Sequence, residues 1–119
     1  ENFRIQVAVN GKICYRDPKE AEPVVCPCQT IDLSVTGVLF RCKAKFEVGQ
    51  MLELSLPPLL PNRSAHRMDC TVRRILEHVE YGYGCEFCHM TPKQDQQLYQ
   101  DLFALQSKNL KSMTRRDDL

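Results

Sequence analysis

Ile31-Asp32-Leu33-Ser34-Val35-Thr36-Gly37-Val38-Leu39-Phe40, or IDLSVTGVLF, interrupts two β-type runs with an acid, a hydroxyl and a glycine. Ile31 and Leu33 lead in, and Val38, Leu39 and Phe40 lead out, so both flanks read as strand. Local chemistry alone makes the middle a turn, with Asp32 and Ser34 capping it and Gly37 at positive φ. The sharper reading is a surface that holds a ligand. The rest of the chain has to decide between the two.

Outward from this stretch the pattern stays β-like. Phe3, Ile5, Val7 and Val9 alternate with Arg4 and Gln6, a period of two. Asn10-Gly11 then interrupts the run before Tyr15, as a hairpin or as a bulge in one long strand. Val24 to Ile31 is a second strand, and Pro27 gives it an edge or irregular character. Val38–Cys42, Met51–Leu56, Met68–Glu77 and Tyr81–Cys88 complete about six strands. The last two are joined by a turn around Val79 and Glu80. Gly82 and Gly84 mark a bend or a close approach in the final strand.

The period changes at Thr91-Pro92-Lys93-Gln94, a helix start with a threonine N-cap, proline at the first position and glutamine closing a capping box. Leu98, Leu102 and Leu105, beside Tyr99 and Phe103, form an apolar stripe that covers one end of a sheet or barrel. The domain therefore spans 1–113, with a barrel over about 3–90, a helix over about 92–110 and a flexible tail at 114–119. The fold class is mainly β: a small barrel or sandwich with a helical lid.

The chain has 119 residues, enough for one domain with its own core, and a net charge of +1, which creates no broad field for DNA or anionic lipid. No apolar run approaches the ~20 residues of a membrane span, and no signal peptide is visible. The chain starts at Glu1 without a methionine, as expected of a processed product or a domain cut from something longer. Seven cysteines, an odd number mostly set in strands, fit buried thiols in a reducing, cytoplasmic setting.

No nucleophile elbow, His-Glu-x-x-His or glycine-rich phosphate loop is present, so catalysis is not expected. His66, His78 and His89 read as surface residues. Cys26-Pro27-Cys28 and Cys85-Glu86-Phe87-Cys88-His89 carry the soft ligands that zinc takes. Residues three apart on a strand face opposite ways, however, and Cys85 shares its face with Phe87. Structural cysteine is the preferred reading, with no metal or cofactor.

The spacing Asp32-x-Ser34-x-x-Gly37, flanked by strands, resembles the (Asp/Asn)-x-Ser-x-x-Gly signature of PilZ domains, bacterial receptors for cyclic di-GMP. Phe3-Arg4-Ile5-Gln6-Val7 resembles the end of the family's Arg-x-x-x-Arg element. Gly82-Tyr83-Gly84-Cys85-Glu86-Phe87, running into a helix, resembles its closing strand and C-terminal helix. The similarity covers roughly Phe3 to Gln106. It implies a six-stranded antiparallel PilZ-type β-barrel with a C-terminal α-helix. Arg4, Asp32, Ser34 and Gly37 would bind the ligand. Arginine suits phosphate and guanine edges, Asp32 accepts from guanine N1 and N2, Ser34 adds a polar contact and Gly37 leaves room for a flat base. Arg4 matches the second arginine of the element, which puts the first one residue before Glu1. Arg63, Arg67, Arg73 and Arg74 are either replacement charge or solvated cations. The implied function couples cyclic di-GMP binding to altered partner or inter-domain contacts, with flagellar, secretion or polysaccharide machinery and without DNA or membrane insertion. The alternative is a degenerate PilZ-like interaction module that does not bind nucleotide.

Overall fold

The structure, a computed structural model, describes the backbone of residues 4–117 and the side chains of residues 4–108. In chain order the strands are β1 Arg4–Gln6, β2 Asn10–Tyr15, β3 Val24–Ser34, β4 Gly37–Arg41, β5 Met51–Leu56, β6 His66–Ile75 and β7 Gly82–Cys88, followed by helix α1 Pro92–Asp117. Strands β3, β2, β5, β6, β7 and β4 bond edge to edge in that order, and β4 returns to β3. The result is a closed six-stranded antiparallel barrel, which leaves no open edge within the ring. Strand β1 is a seventh element, laid beside the end of β3.

Alternation builds the interior. Leu52, Leu54 and Leu56 of β5 point inward against Met68, Cys70 and Val72 of β6, while Met51 and Glu53 face out. Each fully buried aliphatic side chain contributes roughly 1.5–3 kcal/mol. Pro27 is tolerated in β3 because β4 begins pairing only at Gln29, so one flank of the proline is unpaired.

The expected interruption at Asn10-Gly11 lies three residues earlier. Asn10 and Gly11 are regular members of β2, opposite Gln29 and Cys28, and no hairpin forms there. Between Gln6, opposite Asp32, and Asn10, opposite Gln29, the first segment carries one extra residue. The break is a bulge at 7–9 in one long strand, held by the buried Thr30 hydroxyl, which accepts from Val9 N at 2.8 Å and donates to Val7 O. Phe3, the first member of the predicted alternation, lies outside the described residues.

The helix begins as expected. Gln94 N donates to Thr91 Oγ1 at 3.1 Å, and Thr91 N donates to Gln94 Oε1 at 2.9 Å, which closes the capping box. Leu98 and Leu102 are fully buried against the barrel, whereas Tyr99 and Phe103 stack outside at a centroid distance of 6.3 Å. The helix also runs past the predicted end near 110 to Asp117, since neither glycine nor proline follows Pro92 to stop it. Residues 114–117, predicted as tail, are thus helical, and 118–119 lie outside the described residues.

His66 corrects the expectation of three surface histidines. It is buried, with Nε2 2.7 Å from Asp101 Oδ2 on the inner face of α1, and Asp101 is 1% exposed. Arg63 Nη1 stands 3.4 Å from Asp101 Oδ1, too poorly aligned for a hydrogen bond but close enough to oppose its charge. This cluster fastens the helix to the β5–β6 loop. Asp101→Ala leaves His66 buried without its acceptor. We expect a loss of about 3 kcal/mol in denaturant unfolding, against under about 0.5 kcal/mol for the exposed Asp95→Ala.

All seven cysteines are free thiols. Burial, reinforced by Cys42, pushes the Cys28 thiol up from 9.0 to about 12. A hydrogen bond with Cys85, together with burial, pushes Cys70 up as well. For Cys28 the unfolded chain releases its proton near 9.0 and the folded chain near 12. Its contribution to stability is therefore complete below the lower value and is lost as pH rises across that window. Denaturant midpoints should fall across this alkaline range, and less steeply in Cys28→Ala.

Candidate functional site

The IDLSVTGVLF stretch folds as the β3–β4 hairpin with only Val35 and Thr36 between the strands. Its cap is Ser34 alone. The Ser34 Oγ accepts from Thr36 N at 3.2 Å and Gly37 N at 3.1 Å, and the residue is 1% exposed. Asp32 takes no part in the turn. Gly37 does not adopt positive φ, since Gly49 alone does so among the described glycines. Glycine is required at 37 for space: a Cβ there would lie 2.4 Å from the Cys85 carbonyl oxygen of β7. The missing side chain admits the neighbouring strand, whereas the resemblance had suggested room for a base.

Asp32 leaves the turn to face β1. Gln6 lies opposite it and Arg4 opposite Ser34, so Arg4 and Asp32 are diagonal neighbours across the pair. Arg4 Nη1 is 3.5 Å from Asp32 Oδ2, with the arginine 47% exposed and the carboxylate 13%. Such a long, half-exposed pair is worth about 1 kcal/mol or less, so it is easily exchanged for a better partner. The other carboxylate oxygen, Oδ1, is buried and receives no hydrogen bond. An acceptor in that condition favours any donor that can reach it.

Arg4, Asp32, Ser34 and Gly37, four residues separated by up to 33 positions, line one cleft of about 410 Å³ on the outer wall of the barrel. Its far side is made by Arg73, Arg74, Gly84 and Glu86. Sequence reasoning had grouped four arginines as spare cations, and the structure sorts them. Arg63 faces Asp101 and Arg67 faces Glu53, whereas Arg73 and Arg74 enter the cleft. One signal was available, because two consecutive arginines cannot both face outward on a regular strand.

The cysteine motifs do not converge. Cys28 is buried under β2, Cys85 is buried beside Cys70, and Cys88 lies near Thr71. Among the described residues no group of three His, Cys, Asp or Glu is placed to hold a metal ion. A wider depression of about 850 Å³ includes Cys26, Cys28 and His78 but no such group. No helix among the described residues is long and apolar enough to cross a membrane.

The family model described as the PilZ domain matches residues 1–104. No curated protein matches the chain. Among solved structures, the PilZ domain of CeSA from a cellulose-synthesizing bacterium superposes with a TM-score of 0.62 at 13% identity, over 87% of this chain and 97% of that one. The PilZ domain of YcgR from Escherichia coli, solved with c-di-GMP, gives 0.67 at 15% identity over 96% of both chains. The Bacillus subtilis inhibitor of motility, MotI/DgrA, gives 0.69 at 16% identity over 91% of this chain and 51% of that longer one. At these identities the likeness is one of fold.

The hairpin geometry separates two kinds of substitution. Gly37→Ala must push β4 from β7, and a loss of about 1–3 kcal/mol in denaturant unfolding is expected. Ser34→Ala strips the turn of its buried acceptor and should cost a similar amount.

Proposed function

Because the chain belongs to the PilZ domain family, which includes receptors for cyclic di-GMP, we propose that it is a non-enzymatic receptor that binds cyclic di-GMP in the Arg4–Asp32 cleft. The observation that carries this reading is the meeting of Arg4 and Asp32, 28 residues apart, above a hairpin with the family's Asp-x-Ser-x-x-Gly spacing. Cyclic di-GMP offers two phosphates and two guanines. The Arg4 guanidinium suits a phosphate oxygen or the guanine O6/N7 edge, and its plane stacks on a base. Asp32 accepts from guanine N1 and N2 once Arg4 releases it. Ser34 acts indirectly by shaping the turn that holds Asp32 at its rim.

Coupling to a partner runs through β1 in this reading. Arg4 belongs to a three-residue strand that packs against α1 as well as β3. A ligand that takes Arg4 from Asp32 therefore biases the strand on which the helix rests, a local event with a route to a distant surface. The partner is a protein, from motility, secretion or polysaccharide machinery, and the setting is the cytoplasm.

Calorimetric titration of the folded chain with cyclic di-GMP tests the reading. Binding is expected, with Arg4→Ala and Asp32→Ala each weakening it by about tenfold or more and shifting stability by less than about 1 kcal/mol. No heat at high micromolar ligand, with the barrel folded, overturns the reading in favour of an interaction module without nucleotide.

A further inference from the structure

The register between β6 and β7 slips at Arg73. Val72 lies opposite Cys85 and Arg74 opposite Gly84, so Arg73 is the extra residue of a bulge. A regular strand would turn one of two consecutive arginines into the core. The bulge instead leaves both exposed and brings both to the cleft.

The two arginines are held differently. Arg73 is engaged by Glu86, with Nη2 2.7 Å and Nε 2.8 Å from Oε1. Arg74 has no ion-pair partner among the described residues. Its stem lies across Gly84, where an added Cβ would stand 3.0 Å from Arg74 Cγ and 3.1 Å from its Nε. The glycine thus seats the arginine against β7 beside Leu39, whose Cδ2 is 3.2 Å from the same point. Within the cleft, Asp32 opposes Arg4 and Glu86 opposes Arg73, so Arg74 is the uncompensated cation. A guanidinium already seated by its own stem loses less freedom on meeting an anion.

We propose that Arg74 is the second anion-binding jaw of this cleft, contacting a phosphate of the bound dinucleotide from the barrel wall opposite Arg4, while Glu86 sets the affinity by holding Arg73 back. The assignment rests on the proposed binding of cyclic di-GMP and adds residues outside the Asp-x-Ser-x-x-Gly and arginine elements. It means that the barrel itself, and not only the N-terminal strand, carries charge for the ligand.

The test is calorimetric titration with cyclic di-GMP of the wild-type chain, Arg74→Met, Arg74→Lys, Glu86→Gln and, as control, Arg67→Ala, at low and high salt. Methionine keeps an unbranched stem over Gly84 and removes the charge. Arg74→Met should bind about tenfold more weakly at low salt, with the difference shrinking at high salt. Lysine should restore part of the loss, Glu86→Gln should tighten binding severalfold, and Arg67→Ala should match wild type. Arg74→Met that binds like Arg67→Ala overturns the proposal while leaving the receptor reading intact. A loss that salt does not diminish overturns the phosphate contact in favour of stacking on a base. A wild-type chain that binds no cyclic di-GMP removes both readings together.

Discussion

Strand β3 must bond three neighbours, and the buried hydroxyl of Thr30 stands where their pairings meet. On one edge β2 pairs with Val24–Gln29 and β1 with Asp32–Ser34. On the other edge β4 pairs with Gln29–Leu33 and closes the barrel, with its own register shift between Thr30 and Asp32. Two irregularities therefore meet at Thr30 and Ile31, and both interrupt the ladder at half-buried backbone. Thr30 answers the first by bonding Val7 O and Val9 N, while its backbone N–H donates to Val9 O at 2.9 Å. Because β3 can bend there, Asp32 emerges at the barrel rim with β1 beside it. Without that bend, Arg4 and Asp32 would not be neighbours.

The cleft that follows from this bend is electrostatically unfinished. Its ion pairs are long or exposed, one carboxylate oxygen is buried without a donor, and one arginine has no carboxylate opposite it. A fold selected for stability alone has little reason to keep such groups together, since buried polar atoms without partners cost about 1–3 kcal/mol each. At the helix attachment Leu98 and Leu102 are sealed and His66 bonds Asp101 Oδ2, while Asp101 Oδ1 is also buried without a hydrogen bond and has only the Arg63 charge 3.4 Å away. What sets the cleft apart is Arg74, which no carboxylate opposes among the described residues, whereas Asp101 at the helix attachment faces both His66 and Arg63.

Local chemistry was legible wherever the relevant partners lie within a few residues. The capping box at Thr91 and Gln94, the leucine alternation of β5 and the hairpin between Ser34 and Gly37 all announce themselves in this way. What escaped was set by partners far along the chain. Asn10-Gly11 carries a strong hairpin signal, but the bulge forms at 7–9 because Thr30 is there to bond it. His66 resembles any surface histidine until Asp101 arrives 35 residues later. Gly37 suggests a positive φ, whereas its true constraint is the carbonyl of Cys85 on a strand the local pattern cannot see. The four candidate residues were readable from the family signature. The opposite wall was hinted at only by Arg73-Arg74, two cations too close together for a regular strand.

The bulges also bear on how a ligand would be felt. Strand β1 is three residues long and sends one side chain, Ile5, into the core, so it is among the least anchored elements of the barrel. It nevertheless forms one wall of the cleft and a support of α1. The β6 bulge belongs to a ten-residue strand that pairs with β5 as far as Thr71 and with β7 as far as Ile75, so it is the more firmly anchored wall. A phosphate held between Arg74 and Arg4 would therefore draw the loose wall toward the fixed one, and the displacement would fall on β1 and the helix it supports. The asymmetry in anchoring, more than the number of charges, would give the proposed binding a direction.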